Sequence, residues 1–219
     1  MMILAPSMLS ADFKVLGQEL KTTEENGAKY IHYDVMDGMF VPSLSFGPAI
    51  LQSIRPASSM VHDVHLMIEE PIRYIEAFAK ASADIITVHL EACKDLDATI
   101  AKIRECGCKV GVSIKPKTPV SALKPYLEKI DMILIMSVEP GFGGQKFIPT
   151  SLAKIEEART LVNESGLDID IQVDGGIYTH NVEDVIKAGA NIIVAGSAIY
   201  NGDTAANTIA MMEILNKYE

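Results

Sequence analysis

A chain of 219 residues, of which 48% are hydrophobic, can bury one large core, and we expect a single domain over residues 1–219. Its formal net charge of −10, without any basic cluster, argues against nucleic-acid and membrane-surface partners. The sequence has no apolar run of the roughly 18 residues that a membrane span needs, and its start does not resemble a signal peptide. Three cysteines without CxxC spacing predict reduced thiols and a cytoplasmic location.

Eight short apolar segments are predicted strands, and helical patterns separate them. In chain order the predicted strands are residues 3–7, 30–36, 60–67, 85–90, 109–115, 132–137, 169–174 and 192–196. Helical spacing recurs between them, for example at Phe13, Leu16 and Leu20. Eight alternations of strand and helix predict a parallel (β/α)8 TIM barrel. The alternative, a doubly wound open sheet, would need a glycine-rich first turn, which residues 6–12 lack.

Polar side chains stand at the ends of several predicted strands, where barrel enzymes carry their chemistry. Residues two apart on a strand share a face, so His32 and Asp34 project together from strand 2. His65 ends the neighbouring strand 3, while Asp174 ends strand 7 and approaches from nearly the opposite wall. These two imidazoles and two carboxylates predict a site for one divalent metal, which could be zinc, iron(II), manganese or cobalt. For His32 and Asp34 alone, a buried ion pair that only stabilises the fold is the alternative.

Two opposing carboxylates also predict a type of reaction. Asp34 and Asp174 can act on the two faces of one carbon, so that one removes a proton and the other returns a proton to the opposite face. A metal ion between them would neutralise the oxyanion that forms meanwhile. The sequence therefore predicts inversion of configuration at a carbon next to a carbonyl.

A glycine-rich segment follows strand 6 on the same rim of the predicted barrel. It is Pro140-Gly141-Phe142-Gly143-Gly144-Gln145. Three glycines in four positions permit mobility and close backbone approach, and loops on this rim commonly close over a substrate. We therefore interpret residues 140–145 as a lid that clasps the substrate; the alternative is a tight turn before the next helix.

Two shorter glycine motifs lie where barrels of this kind usually hold a phosphate group. Gly175 and Gly176 follow strand 7, and Gly196 and Ser197 end strand 8. Backbone N–H groups in these two loops, together with the N-terminus of a short helix, can bind the anion. A phosphorylated small molecule is therefore the predicted substrate.

Several other polar residues are ambiguous or are expected to be structural. His89 and Lys115 end strands 4 and 5, and each is equally compatible with orienting the metal ligands or with filling the barrel interior. His62 has the opposite strand parity to His65, so we expect it to face the surrounding helices. Glu91 is expected to lie in a solvated loop.

These motifs closely resemble those of the ribulose-phosphate 3-epimerase family, and the resemblance covers essentially the whole chain. The matching segments are residues 6–12 (PSMLSAD), 32–38 (HYDVMDG), 63–67 (DVHLM), 140–145 (PGFGGQ) and 173–177 (VDGGI). The resemblance implies interconversion of D-ribulose 5-phosphate and D-xylulose 5-phosphate by a metal-dependent barrel. It also implies a homo-oligomer, either a dimer or a hexamer.

The resemblance implies a role for individual residues. The metal ligands would be His32, Asp34, His65 and Asp174, and the acid and base at C3 would be Asp34 and Asp174. Ser7 and His65 would contact the sugar, residues 141–144 would clasp it, and Gly175, Gly176, Gly196 and Ser197 would line its phosphate end. Asp174 would also contact the substrate. Three methionines would line the pocket, namely Met36, Met67 and Met136.

Three alternatives share parts of this pattern. An allulose-6-phosphate 3-epimerase would use the same chemistry on a six-carbon substrate. A decarboxylase of the orotidine-phosphate type would need an Asp-x-Lys-x-x-Asp array, and the end of strand 3, residues 65–69, contains no lysine. A non-catalytic barrel that binds sugar phosphates would be expected to have lost at least one of the four ligands, and none is lost.

Overall fold

Eight parallel strands form one nearly closed barrel in a computed structural model that describes all 219 residues. Strands β1 to β8 occupy Ile3–Pro6, Tyr30–Met36, Val61–Met67, Ile85–His89, Lys109–Ile114, Met132–Met136, Asp170–Asp174 and Ile192–Ala195. Their order is β1-β8-β7-β6-β5-β4-β3-β2, and a parallel bridge between Ser7 and His32 joins the two ends. The predicted TIM barrel is confirmed, and each strand lies within one residue of its predicted bounds.

Helices connect the strands on the outside of the barrel. Helices α1 to α8 occupy Leu16–Glu25, Pro48–Ile54, Ile75–Lys80, Leu96–Glu105, Ser151–Ser165, Val182–Lys187, Ser197–Tyr200 and Thr204–Leu215. The connection after β5, Val120–Lys129, is a 3-10 helix that contains Pro125. Proline lacks the N–H that an α-helix interior uses, and its ring collides with the preceding turn, so a regular α-helix is disfavoured there. No helix combines the length and the apolar content that a bilayer crossing needs.

One face of β2 packs against the surrounding helices, and the other face points into the barrel, where the site forms. All seven residues of β2 are buried. Ile31, Tyr33 and Val35 belong to the large core between the strands and the helices. A fully buried side chain of this size contributes roughly 1.5–3 kcal/mol of hydrophobic stabilisation. Because successive side chains alternate between faces, this anchoring turns His32 and Asp34 into the barrel.

His62 lies on the outer face of β3, as its strand parity predicts. It is fully buried, and neither ring nitrogen has a hydrogen-bond partner. Burial, assisted by the positive charge of Arg55, lowers the pKa of His62 to about 4. The folded protein therefore holds this imidazole neutral, whereas the unfolded chain takes up its proton near pH 6.5.

The depressed pKa of His62 predicts a pH dependence of stability. Its contribution is fully present above pH 6.5 and is lost as the pH falls towards 4, by up to about 3 kcal/mol. We expect His62→Leu to reduce the decline in the free energy of unfolding across this range, as measured by urea denaturation. His180→Gln, which removes an exposed histidine, is the matched control. Equal declines in His62→Leu and the wild type would contradict the prediction.

Candidate metal and active site

Four polar side chains meet at the carboxyl end of the barrel. His32 and Asp34 come from β2, His65 comes from β3, and Asp174 is the last residue of β7. The strand register places Asp34 directly beside His65. Asp174 reaches the same point from across the barrel, because β8 and β1 separate β7 from β2. The structure thus brings together the four residues that were selected by strand parity and by their position at the ends of predicted strands.

The ligand atoms of these four side chains all lie within 4.8 Å of one another. Asp34 Oδ1 is 3.2 Å from His32 Nε2 and 3.1 Å from His65 Nδ1. The two ring nitrogens are 3.3 Å apart, and Asp174 Oδ2 is 3.8 Å from each of them. His32 therefore presents its ε nitrogen and His65 its δ nitrogen to a common point.

This donor set fits a divalent cation. Two imidazole nitrogens and two carboxylate oxygens with converging lone pairs are suited to zinc and to other first-row divalent metals. The two histidines and Asp34 are almost completely buried, whereas the side chain of Asp174 is 16% exposed. The site is therefore open on the side of Asp174, where a substrate can approach. Mixed nitrogen and oxygen ligands do not select one metal.

The metal-free cluster separates the proton affinities of its two carboxyl groups. Burial opposes ionisation of Asp34, but the charges and hydrogen bonds of His32 and His65 outweigh it and lower the pKa of Asp34. Burial, together with the negative charge of Asp34, raises the pKa of Asp174. Burial also opposes the charged form of His32, but Asp34 and Asp63 outweigh it and raise the pKa of His32. The two carboxyl groups of the metal-free cluster thus differ in environment.

A buried carboxylate and amide hold His32 in place, and the sequence analysis missed both of these roles. Asp63 Oδ2 lies 2.7 Å from His32 Nδ1 and accepts a 2.5 Å hydrogen bond from Gln172 Nε2. The arrangement turns the other ring nitrogen, Nε2, towards the cluster, as carboxylate partners of metal-binding histidines commonly do. Asp63 lies two residues before His65 on β3 and therefore shares its strand face. The sequence thus already indicated that Asp63 faces the barrel interior below His65.

His89 contacts the other histidine of the cluster, whereas Lys115 does not contact any of the four residues. His89 Nε2 is 3.0 Å from His65 Nε2, and His89 Nδ1 is 3.3 Å from Glu91 Oε2. The Lys115 ammonium group instead lies 3.8 Å from the centre of the Phe40 ring. Glu91 lies in the exposed segment after β4, as expected, but its side chain is only 22% exposed and accepts hydrogen bonds from the loop after β5.

A cleft of about 550 Å³, partly open to solvent, lies above the cluster. Most of the residues predicted to contact substrate line it: Ser7, Met36, Met67, Met136, Gly141, Phe142, Gly143, Gly144, Asp174, Gly175, Gly176, Gly196 and Ser197. His65 does not line the cleft, because it is fully buried beside Asp34. The structure therefore gives no support to its expected sugar contact, and His65 remains a ligand candidate.

The loop after β6 forms one wall of this cleft. All of residues 140–145 line it, and Phe142 is 58% exposed. Gln145 Nε2 donates to the carbonyl oxygens of Glu139 and Phe142, at 2.6 and 2.9 Å. These two bonds close the loop on itself.

The loops after β7 and β8 form the far end of the cleft. Gly175 and Gly176 have φ values of +123° and +67°, which a residue with a side chain rarely adopts. Ser197 begins the short helix α7, and its hydroxyl group lies 2.7 Å from the Tyr178 hydroxyl. Gly175, Gly176, Gly196 and the hydroxyl-bearing residues Tyr178 and Ser197 therefore line the same end of the cleft.

Two glycines with nearly the same positive φ allow a controlled test of packing beside the cleft. Gly176 and Gly144 have φ of +67° and +72°. A Cβ on Gly176 would lie 2.3 Å from the Phe147 nitrogen, whereas a Cβ on Gly144 would have no neighbour within 4 Å. We expect Gly144→Ala to cost about 1–2 kcal/mol through its backbone alone. Gly176→Ala should cost about 1–3 kcal/mol more, because the 145–147 backbone must move.

Urea denaturation of the two variants would measure this difference in the free energy of unfolding. Equal losses of stability in Gly176→Ala and Gly144→Ala would contradict the prediction, because the two substitutions share the same backbone strain.

The fold and the site together define a TIM-barrel protein with a buried two-histidine, two-aspartate centre that could hold a divalent metal. The model of the ribulose-phosphate 3 epimerase family matches residues 3–200. The chain therefore belongs to the ribulose-phosphate 3-epimerase family, a family of enzymes.

Similar proteins agree with this membership. The ribulose-phosphate 3-epimerase of Bacillus subtilis is 53% identical over 201 residues, which cover 91% of this chain and 93% of that protein. The one of Escherichia coli K12 is 46% identical and covers 91% and 89%. Among solved structures, 3-hexulose-6-phosphate synthase from Salmonella typhimurium covers 100% of both chains with a TM-score of 0.72. At its 18% identity, this last likeness shows the fold alone.

Proposed function

We propose that this chain interconverts D-ribulose 5-phosphate and D-xylulose 5-phosphate by inverting C3, and that residues 1–219 form one catalytic domain. The observation that carries the proposal is the placement of Asp34 and Asp174 on facing walls of the barrel, with their carboxylates in one cluster. The two relatives described above are named for this activity. The lining of the cleft suits a short phosphorylated sugar.

In the proposed reaction each aspartate serves one face of the sugar. Asp34 removes or delivers the C3 proton on one face, and Asp174 does so on the other. The roles of acid and base exchange when the reaction runs backwards. The Ser7 hydroxyl donates a 2.5 Å hydrogen bond to Asp34 Oδ2 and so orients this carboxylate. A divalent metal held by His32, Asp34, His65 and Asp174 would supply positive charge that stabilises the oxyanion of the substrate.

Three methionines separate the reacting carbon from water. Met36 and Met67 face each other in the register of β2 and β3, and Met136 lies beside Asp174 in the register of β6 and β7. All three are at least nine-tenths buried and line the cleft. Their thioether side chains are apolar and polarisable, so they exclude water from this part of the cleft.

The six-carbon alternative would use the same two aspartates on allulose 6-phosphate. The names of the two relatives favour the five-carbon substrate. The non-catalytic alternative is disfavoured, because all four ligands and both acid and base candidates are in place. The substrate of this chain is therefore best tested directly.

An assay in heavy water tests both the substrate and the reaction. Purified protein incubated with D-ribulose 5-phosphate should form D-xylulose 5-phosphate that carries one deuterium at C3, as measured by NMR. Allulose 6-phosphate should turn over more slowly under the same conditions. Inversion without uptake of deuterium would contradict the two-carboxylate scheme, and faster turnover of the six-carbon substrate would favour the alternative.

The end of the cleft at the β7 and β8 loops is proposed to hold the phosphate, with Ser197 as one of its partners. Ser197→Asp places a negative charge there, and like charges repel strongly in a partly buried site. We expect the KM for D-ribulose 5-phosphate to rise about 100-fold, which corresponds to about 2.7 kcal/mol, with a smaller effect on kcat. Ser197→Ala should raise the KM much less. An unchanged KM in Ser197→Asp would remove the residue from the phosphate site.

A homo-oligomer in the cytoplasm is the remaining part of the proposal. Large apolar side chains are exposed around the rim and the first helices: Phe13, Val15, Met39, Leu44, Ile50 and Tyr74. Exposed apolar surface of this kind supports self-association. Three free cysteines suit a reducing compartment. Light scattering on the purified protein would measure the number of subunits, and elemental analysis would identify its metal.

A further inference from the structure

The second histidine of the cluster is connected to the rim by a chain of three side chains. His65 Nδ1 faces the cluster, at 3.1 Å from Asp34 Oδ1. Its other nitrogen, Nε2, is 3.0 Å from His89 Nε2, and His89 Nδ1 is 3.3 Å from Glu91 Oε2. His65 and His89 are both fully buried, and their ring planes are inclined by 28° with centroids 5.0 Å apart. No water is needed to connect the members of this chain.

The carboxylate at the outer end determines the direction of these hydrogen bonds. An ionised Glu91 can only accept, so the nitrogen that faces it, His89 Nδ1, must carry the hydrogen. In a neutral imidazole the other nitrogen is then an acceptor, so His65 Nε2–H donates to His89 Nε2. A neutral His65 protonated at Nε2 has its lone pair on Nδ1, which is the atom that faces the cluster.

Glu91 is itself held by groups outside the cluster. Its Oε1 accepts a 2.8 Å hydrogen bond from the Lys115 backbone N–H and another from the Thr118 hydroxyl, both in the loop after β5. Burial opposes ionisation of Glu91, but hydrogen bonds from His89, Thr118 and the Lys115 N–H outweigh it and lower its pKa to about 2. The acceptor at the outer end of the chain is therefore present throughout the neutral pH range.

The surroundings of His89 hold its ring in this orientation. Phe40 packs on it with ring centroids 4.8 Å apart, and the Lys115 ammonium group lies 3.8 Å from the centre of the same Phe40 ring. Lys115 thus contacts the apolar cover of His89, not a ligand. This distinguishes the two residues that the sequence left ambiguous.

We infer that His89 and Glu91 are positioning residues that keep His65 protonated at Nε2, so that its Nδ1 is available to bind a divalent metal. The inference rests on the proposed metal site. It gives each histidine ligand a carboxylate partner: Asp63 contacts His32 directly, and Glu91 acts on His65 through His89. Partners of this kind typically change metal affinity by about 10–100-fold when they are removed.

Metal affinity measured without any assay of turnover tests the inference. The probe is Co²⁺, competed against a chelator, with the wild-type protein measured first. His89→Phe keeps an aromatic ring but removes the acceptor, and we expect it to weaken Co²⁺ binding about 10–100-fold. His89→Gln offers an amide oxygen to His65 Nε2–H and should restore a large part of the affinity. Glu91→Gln removes the charge, and its loss of Co²⁺ affinity should lie between those of His89→Gln and His89→Phe.

Thr118→Val is the matched control, because it removes a hydrogen bond to Glu91 on the side of the loop and leaves the His89 contact. Its Co²⁺ affinity should stay within about twofold of the wild type, since Glu91 keeps the bond from the Lys115 N–H. In the zinc-loaded protein, nitrogen-15 NMR should show His89 protonated at Nδ1. This readout applies to the wild type and does not depend on whether His89→Phe folds.

The outcomes separate this inference from the proposed function. If wild-type protein binds Co²⁺ and both His89→Phe and Glu91→Gln bind it equally well, the positioning role is overturned while the metal site stands. Protonation of His89 at Nε2 alone would also overturn it, because the chain would then run in the opposite direction. Failure of the wild type itself to bind Co²⁺ would overturn the metal site and the inference together.

Discussion

Replacing either opposing aspartate by asparagine is expected to lower kcat by about 10²–10⁴-fold. Asp34→Asn and Asp174→Asn keep the shape of the side chain, but a neutral amide cannot accept or deliver the C3 proton. Asp170→Asn makes the same chemical change at the other end of β7, away from the cluster, and should leave kcat within a small factor of the wild type. Steady-state assays with D-ribulose 5-phosphate would measure all three variants.

Loss of a metal ligand could also lower activity, so a second readout is needed. The metal content of each variant should be measured, and kcat should be compared at saturating metal. If the remaining carboxylate still removes a proton from one face, each variant should exchange the C3 hydrogen of one epimer with heavy water faster than it inverts that carbon. An Asp174→Asn protein that contains metal and retains more than about a tenth of the wild-type kcat would contradict the two-carboxylate scheme, which requires a loss of at least about 10²-fold.

Removal of the divalent metal is expected to lower turnover by at least about 10³-fold, because the positive charge at the oxyanion is worth several kcal/mol. Four ligand atoms within 4.8 Å of one another, three of them on almost completely buried residues, motivate this prediction. Protein dialysed against a chelator should lose activity and regain it when Zn²⁺, Co²⁺, Mn²⁺ or Fe²⁺ is added. The rank of these metals would identify those that the site can use.

The fold of the metal-free protein is the control for this experiment. The barrel is held mainly by its apolar core and not by the cluster, so the circular dichroism spectrum should be retained after chelation. Full turnover in a preparation verified to be metal-free would contradict the role of the cluster as a metal site.

Several features of this protein follow from the sequence by local physical rules. A period of two along each strand and a helical period between strands are properties of neighbouring residues, so the eight-stranded barrel could be predicted from the chain alone. The same parity assigns His32, Asp34, His65 and Asp174 to the inner face. These four residues also lie at the carboxyl ends of their strands, where barrel enzymes carry their chemistry. The candidate site could therefore be predicted before any distance was known.

Other features depend on how the strands are placed around the barrel. Asp63 and Gln172 are 109 residues apart in sequence, and only the packing of β3 and β7 inside one closed barrel makes them partners. Burial of His65 behind Asp34, and the connection of Glu91 to the cluster through His89, likewise depend on distances between different strands. A strand pattern specifies which face a side chain occupies, but the relative shift and tilt of strands decide which atoms meet across the barrel.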